Sequence, residues 1–247
     1  MIALVAAAIF GAAPADTLRL QVGSPEVNGA VYPEHRARNR VYRGDAGSPP
    51  VTQWTNELTV GDSAGRPVMR WVTRGGQTGT ESGGATWELH QTYDARTLSP
   101  YTYSLRTSSG AFTELTIDGT RVRGSRKASP TAEVETIDNT LSYAAFPAHA
   151  SDLVPLAVGL RQGAVMTLPV WSPGMPDAVL HVFTVRDRQP VEVEGTSVEA
   201  WRVDEHRHSD GTLVATWYLV DRSPYMVYAE IPLANGTVQR MTGVALP

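Results

Sequence analysis

Apolar positions from residue 178 to 246 fall into the runs AVLHVFTV, SVEAWRV, LVATWYLV and YMVYAEIPL, rich in Val, Trp, Tyr and Thr. Between them stand Glu194-Gly195-Thr196, Ser209-Asp210-Gly211, Asp221-Arg222-Ser223-Pro224 and Asn235-Gly236, all built from turn-forming residues. Alternating runs punctuated in this way predict an antiparallel meander. In LVATWYLV, Leu213, Ala215, Trp217 and Leu219 share one face while Val214, Tyr218 and Val220 take the other. Both faces of that strand are therefore expected to be covered, by a helix or a second sheet.

The first half repeats the pattern, with strands expected over 54–60, 68–73, 86–93, 101–106, 112–117 and 120–124 and a hairpin turn at Asp118-Gly119. The glycine-rich stretch 75–84 reads as a loop. Two segments, SRKASP at 125–130 and AAFPAHAS at 144–151, interrupt the strand pattern and divide the meander into halves. The one good helix signal starts with Ser151 as N-cap, places Leu153, Leu156, Ala157 and Leu160 on one face, and stops before Gly163. A mainly β fold follows: a curved antiparallel sheet or half-open barrel, built as a meander with one short α-helix.

Length is compatible with one domain, since 247 residues is an ordinary size for a single sandwich or barrel. Residues 2–10 are uninterruptedly apolar and precede Ala13-Pro14-Ala15, small residues in the places a signal peptidase requires. Residues 1–15 are thus expected to be a signal peptide and 16–247 a single β-rich domain, periplasmic or secreted, with no transmembrane segment in the mature chain. Only the terminal amine supplies positive charge ahead of the apolar run. The chain has no cysteine, which removes disulfides, thiolate metal sites and a cysteine nucleophile. A net charge of −4 provides no field for polyanions, so nucleic acid is not an expected partner.

The passages TYDARTLSPYTYSLRTSSGAFTELTIDGTRVRG, SDLVPLAVGLRQGAVMTLPV and VEVEGTSVEAWRVDEHRHSDGTLVATWYLVDRSPYMVYAEIPL resemble a group of exported bacterial proteins classed as a domain of unknown function. The features that carry the resemblance are the Asp118-Gly119 hairpin, the leucine-rich helix ending in Leu160-Arg161, Gly195 with Trp201-Arg202-Val203, and Trp217-Tyr218 with Ser223-Pro224-Tyr225. Such proteins are similar in architecture to the half-open barrels of periplasmic lipoprotein and lipid carriers, in which a curved sheet wraps around a helix. The resemblance implies an extracytoplasmic location and an apolar ligand groove. It names no reaction.

Several motifs invite chemistry. Gly61-Asp62-Ser63-Ala64-Gly65 satisfies the G-x-S-x-G pattern of a nucleophile elbow, with Ser63 as the nucleophile of a serine hydrolase. That elbow needs a strand, a strained turn and a helix, whereas the following RPVMRWV reads as another strand. A polar hairpin turn is the preferred account. Asp204, His206 and His208 would share one face of a strand and offer three metal ligands, yet their place beside a turn favours a solvated face. His181, flanked on its face by Val179, Phe183 and Val185, reads as a hydrogen-bonded core histidine. Arg36, Arg38 and Arg40 line one face of a strand and suit an edge protected by charge.

Of the tryptophans at 54, 71, 87, 171, 201 and 217, most read as core, and a groove lined by a minority of them is the functional version. Trp87, Trp201, Trp217 and Tyr225 are the positions nominated. The expectation is a non-enzymatic envelope protein that binds an apolar or amphipathic ligand, with an apolar small molecule, a lipid or an envelope protein as partner and no metal or cofactor. A serine hydrolase through Ser63 and a structural interaction module are the alternatives.

Overall fold

The computed structural model describes residues 17–44, 48–78 and 84–247. The expected signal peptide and residues 79–83 of the expected 75–84 loop lie outside the described residues, while Gly75, Gly76 and Gln77 belong to a strand instead of a loop. The strands are β1 (Thr17–Arg19), β2 (His35–Arg43), β3 (Thr52–Ser63), β4 (Arg66–Gln77), β5 (Thr86–Asp94), β6 (Pro100–Thr107), β7 (Phe112–Asp118) and β8 (Arg121–Lys127). They continue with β9 (Glu135–Thr140), β10 (Phe146–Pro147), β11 (Val165–Trp171), β12 (Val179–Val193), β13 (Thr196–Arg207), β14 (Leu213–Leu219), β15 (Met226–Pro232) and β16 (Val238–Leu246). One helix, α1 (Leu153–Val158), separates the two series.

β2 to β9 form one antiparallel meander and β11 to β16 a second, and they join where β16 pairs with β2. The expected meander, its break before the helix and its turns are all present. The turns at Glu194-Gly195 and Ala64-Gly65 have both residues at positive φ, as two-residue hairpins require. Placement of β2 corrects the edge-strand expectation: it is hydrogen-bonded on both sides, to β16 and β3. Arg36, Arg38 and Arg40 therefore do not guard an edge. Arg38 and Arg40 instead hold Glu194, at 2.9 and 2.8 Å, which fastens the β12–β13 hairpin tip to the outer face of β2.

The ends of the sheet are treated differently. β11 is covered along one half by β1 and along the other by β10, both parallel to it. At the opposite end β9 is an exposed strand whose Glu135 and Asp138 pair with Arg126 and Arg121 of β8, charges that discourage further strand pairing. The two ends approach through side chains. Ser142, just beyond β9, donates its backbone N–H and hydroxyl to Asp177 of the β11–β12 connection at 2.7 and 2.5 Å. Leu141, Ala145 and Trp171 pack there with Leu115, Ile117 and Val122.

The concave face carries the main core, in which Leu153, Val154 and Ala157 of α1 meet Leu58, Met69, Tyr93, Leu168, Phe183, Val203 and Leu219. α1 is shorter than expected. Gly159, at φ 97°, caps it four residues before Gly163, and the Ser151 hydroxyl donates back to the Ala148 carbonyl at 2.9 Å rather than capping forward. Gly159 explains the early stop, because its positive φ turns the chain out of the ladder, whereas Pro155 sits in the first turn where an amide has no helical partner. The Tyr32 hydroxyl donates to the Leu153 carbonyl and the Asn28 amide to Ala157 at 2.9 Å, so the segment before β2 holds the helix in place.

A bulge between Val185 and Arg188 reverses the alternation of β12. Val191 and Val193 then face outward with Val198 and Ala200, and pack with Tyr218, Val220, Val227, Tyr228 and Val244. The second face of β14 is thus covered by the sheet's own long hairpin.

Candidate functional site

Inward-facing residues that α1 does not reach line a cavity of about 450 Å³ on the concave side. Strand alternation delivers Trp54 and Asn56 from β3, Trp71 and Thr73 from β4, Trp87 and Leu89 from β5, His181 from β12, Glu205 from β13 and Trp217 from β14. Met226, Ile231 and Met241 complete an apolar wall, and His149, Asp152 and Leu153 close it from the helix side.

Each of the four indoles is fixed. Trp71 Nε1 donates to Thr73 Oγ1 at 3.1 Å, and Thr73 donates onward to Asn56 Oδ1 at 2.9 Å. Trp217 Nε1 donates to Glu205 Oε2 at 2.7 Å. Trp54 and Trp87 stand opposite Gly75, one on each neighbouring strand, with ring centroids 6.1 Å apart. The missing side chain at Gly75 is the space these rings occupy. Trp54 and Trp87 also line a second, more open cleft of about 560 Å³ with Arg74, Glu88 and Arg106, so the pair forms the wall between cleft and cavity.

The polar end of the cavity is acidic. Glu205, 2 % exposed, accepts from Trp217 and from His181 Nδ1, the latter at 2.5 Å. Burial pushes the Asp152 carboxyl up to about 7, and the neighbouring Glu205 carboxylate adds to the shift. His149 is exposed, its ring 5.5 Å from that of Tyr103. Asn39 is 3 % exposed and lines the cavity with its Nδ2 unpaired.

The nominated aromatics divide. Trp87 and Trp217 line the cavity, whereas Trp201 and Tyr225 line a separate pocket of about 340 Å³ with Tyr32, Leu156 and Leu160 beside the end of α1. Arg188 lies over the Trp201 ring, 5.1 Å from its centroid. Trp54, Trp71, Asp152 and Glu205 were not nominated; alternation alone hinted at the two indoles, while the carboxylates gave no sign because their meeting depends on strand register. His181 is the hydrogen-bonded core histidine expected, though it faces a cavity.

Ser63 lies exposed at the tip of the β3–β4 hairpin, and a strand follows the turn, not a helix. His35 stands opposite Leu58, five residues or roughly 16 Å along β3 from Ser63. The elbow geometry required of a hydrolase is absent there. Asp204 accepts from Arg186 and Arg202 at 2.8 and 2.9 Å, and His208 lies beyond the end of β13 at Arg207. Among the described residues no three His, Asp or Glu side chains are grouped to hold a metal. Nor is any described helix long and apolar enough to cross a membrane.

A likeness of fold extends to a crystal structure of a β-barrel-like protein from Brucella abortus, a domain of unknown function designated DUF1849. The two are 10 % identical with a TM-score of 0.50, over 85 % of this chain and 95 % of that one. No curated protein matches the chain. A family model described as a protein of unknown function, DUF3108, matches residues 41–242, from β2 at the centre of the sheet to β16 beside it. The chain belongs to the DUF3108 family.

Proposed function

We propose that this protein is an extracytoplasmic, non-enzymatic binding protein that holds an apolar or amphipathic small molecule in the concave cavity. The observation that carries this reading is a cavity of about 450 Å³ walled by four immobilised indoles. Its volume falls within the roughly 300–1,000 Å³ range of small-molecule sites, and its mix of a large apolar wall with a few placed polar groups is the usual composition of such sites. Rigid aromatic walls favour binding because little side-chain freedom is lost when the ligand enters. The extracytoplasmic location rests on the apolar run at 2–10 and Ala13-Pro14-Ala15.

Native mass spectrometry of gently purified protein tests the reading. A defined adduct of small-molecule mass is expected, and Ala148→Phe, which places a ring in the cavity, removes it. A bare mass for the wild type, together with no saturable uptake of apolar fluorophores, would overturn the proposal.

A further inference from the structure

The cavity lining contains carboxyl groups and π faces but neither Lys nor Arg. Its residues include Asp152, Glu205, His181 and four indoles. The nearest guanidinium groups lie in the outer cleft beyond Trp54 and Trp87 and are already engaged. Arg74 is held by Glu57 and Glu88, and Arg106 by Glu114. A second, independent observation points to an occupant: Asn39, 97 % buried by its 3 % exposure, lines the cavity with an unpaired Nδ2 donor. A buried amide without a partner is costly, and an acceptor atom on a ligand would satisfy it.

From this arrangement we infer that the ligand is an amphipathic cation, an amine or quaternary ammonium with an apolar chain, whose head lies among the indoles and the Asp152 and Glu205 carboxylates. This rests on the binding function proposed above. Indole faces attract cations through the ring quadrupole, most strongly where water is excluded. An anionic head would meet the Glu205 carboxylate, joined by Asp152 once that group ionises, with no Lys or Arg in the lining to offset them, which disfavours fatty acids and alkyl sulfates. The Asn39 amide adds a donor for an oxygen beside the cationic centre.

The test compares dodecyltrimethylammonium, dodecyl sulfate and dodecyl maltoside, each below its micellar range, by titration calorimetry with the full chain. Dodecyltrimethylammonium is expected to bind about tenfold or more tightly than either of the others. In Asp152→Asn with Glu205→Gln, which keeps side-chain shape and one acceptor oxygen on each residue while removing the charge, that preference falls to about threefold or less. Because the wild-type comparison stands alone, the inference can fail even if the variant does not fold. Equal or tighter binding of the sulfate or the maltoside overturns the cationic assignment and leaves the binding function intact. Binding of none of the three overturns both. A cation preference that survives the double substitution overturns the role given to the carboxylates.

Discussion

Replacing Gly75 by alanine sets two opposed effects against each other. Removing a strand-interior glycine gains about 0.5–1 kcal/mol, since the unfolded chain loses freedom it no longer has to surrender. Against this, a Cβ at Gly75 would sit 2.5 Å from Trp87 Cζ2 and 2.7 Å from both Trp87 Cε2 and Trp54 Cβ, far inside the ~3.5 Å contact distance between carbons. Trp54 Cβ is attached directly to the backbone of β3 and cannot swing aside, so the strain must be relieved by shifting a ring or a strand. Overpacking of this kind costs about 1–3 kcal/mol. The net expectation is a loss of about 1–2 kcal/mol, which lowers the melting temperature by roughly 2–8 °C for a chain of this size. Gly61→Ala is the control, because its nearest neighbour is the flexible end of Arg70, Nη1 at 3.0 Å. That variant should melt at or slightly above the wild type. Calorimetric melting of both decides the matter. If Gly75→Ala is as stable as Gly61→Ala, the Trp54–Gly75–Trp87 contact does not constrain the wall in the way argued.

Glu205→Leu should cost about 1–3 kcal/mol in chemical denaturation by leaving the Trp217 N–H and His181 without their acceptor, while Glu205→Gln costs less. Asp152 gives stability a pH slope. The raised Asp152 carboxyl, about 7 when folded, stabilises at low pH and loses that contribution as pH rises from its unfolded value near 3.8 through about 7. Relative to wild type, Asp152→Asn should therefore gain stability as pH rises between about 4 and 7. Melting curves across that window read the sign. Ser63→Ala should change stability by less than about 0.5 kcal/mol, given its exposure at a hairpin tip.

Local chemistry was legible in the sequence and register was not. Asp118-Gly119, Glu194-Gly195 and Asn235-Gly236 announce turns because the residues themselves supply the needed backbone angles, and each turn lies where expected. The helix was located but overextended, since Gly159 at positive φ ends it before the run of leucines reaches Leu160. β2 was misjudged as an edge because its partner β16 lies at the other end of the chain, and nothing in HRARNRVYR reports which strands flank it. The same blindness hid the polar centre of the cavity. His181 and Glu205 meet only through the antiparallel register that sets Phe183 opposite Glu205, and Asp152 joins them from a helix no sequence pattern docks. Trp87 and Trp217 could be nominated as large aromatics on alternating strands, but the bulge in β12 and the placement of α1 decide that Trp201 belongs elsewhere.

The seam between β16 and β2 sets the order in which the molecule can be assembled. Gln239 pairs with Arg43 across roughly two hundred residues of intervening chain, so this ladder carries a large closure cost and is expected to form late. Until β16 docks, β2 and β15 each present a bare backbone edge, and the two meanders are free to pair with strands of other molecules. Deleting β16 would therefore do more than lower stability. It would convert a self-limiting sheet into one with two adhesive margins, and the expected outcome is dimers or aggregates in place of a smaller monomer.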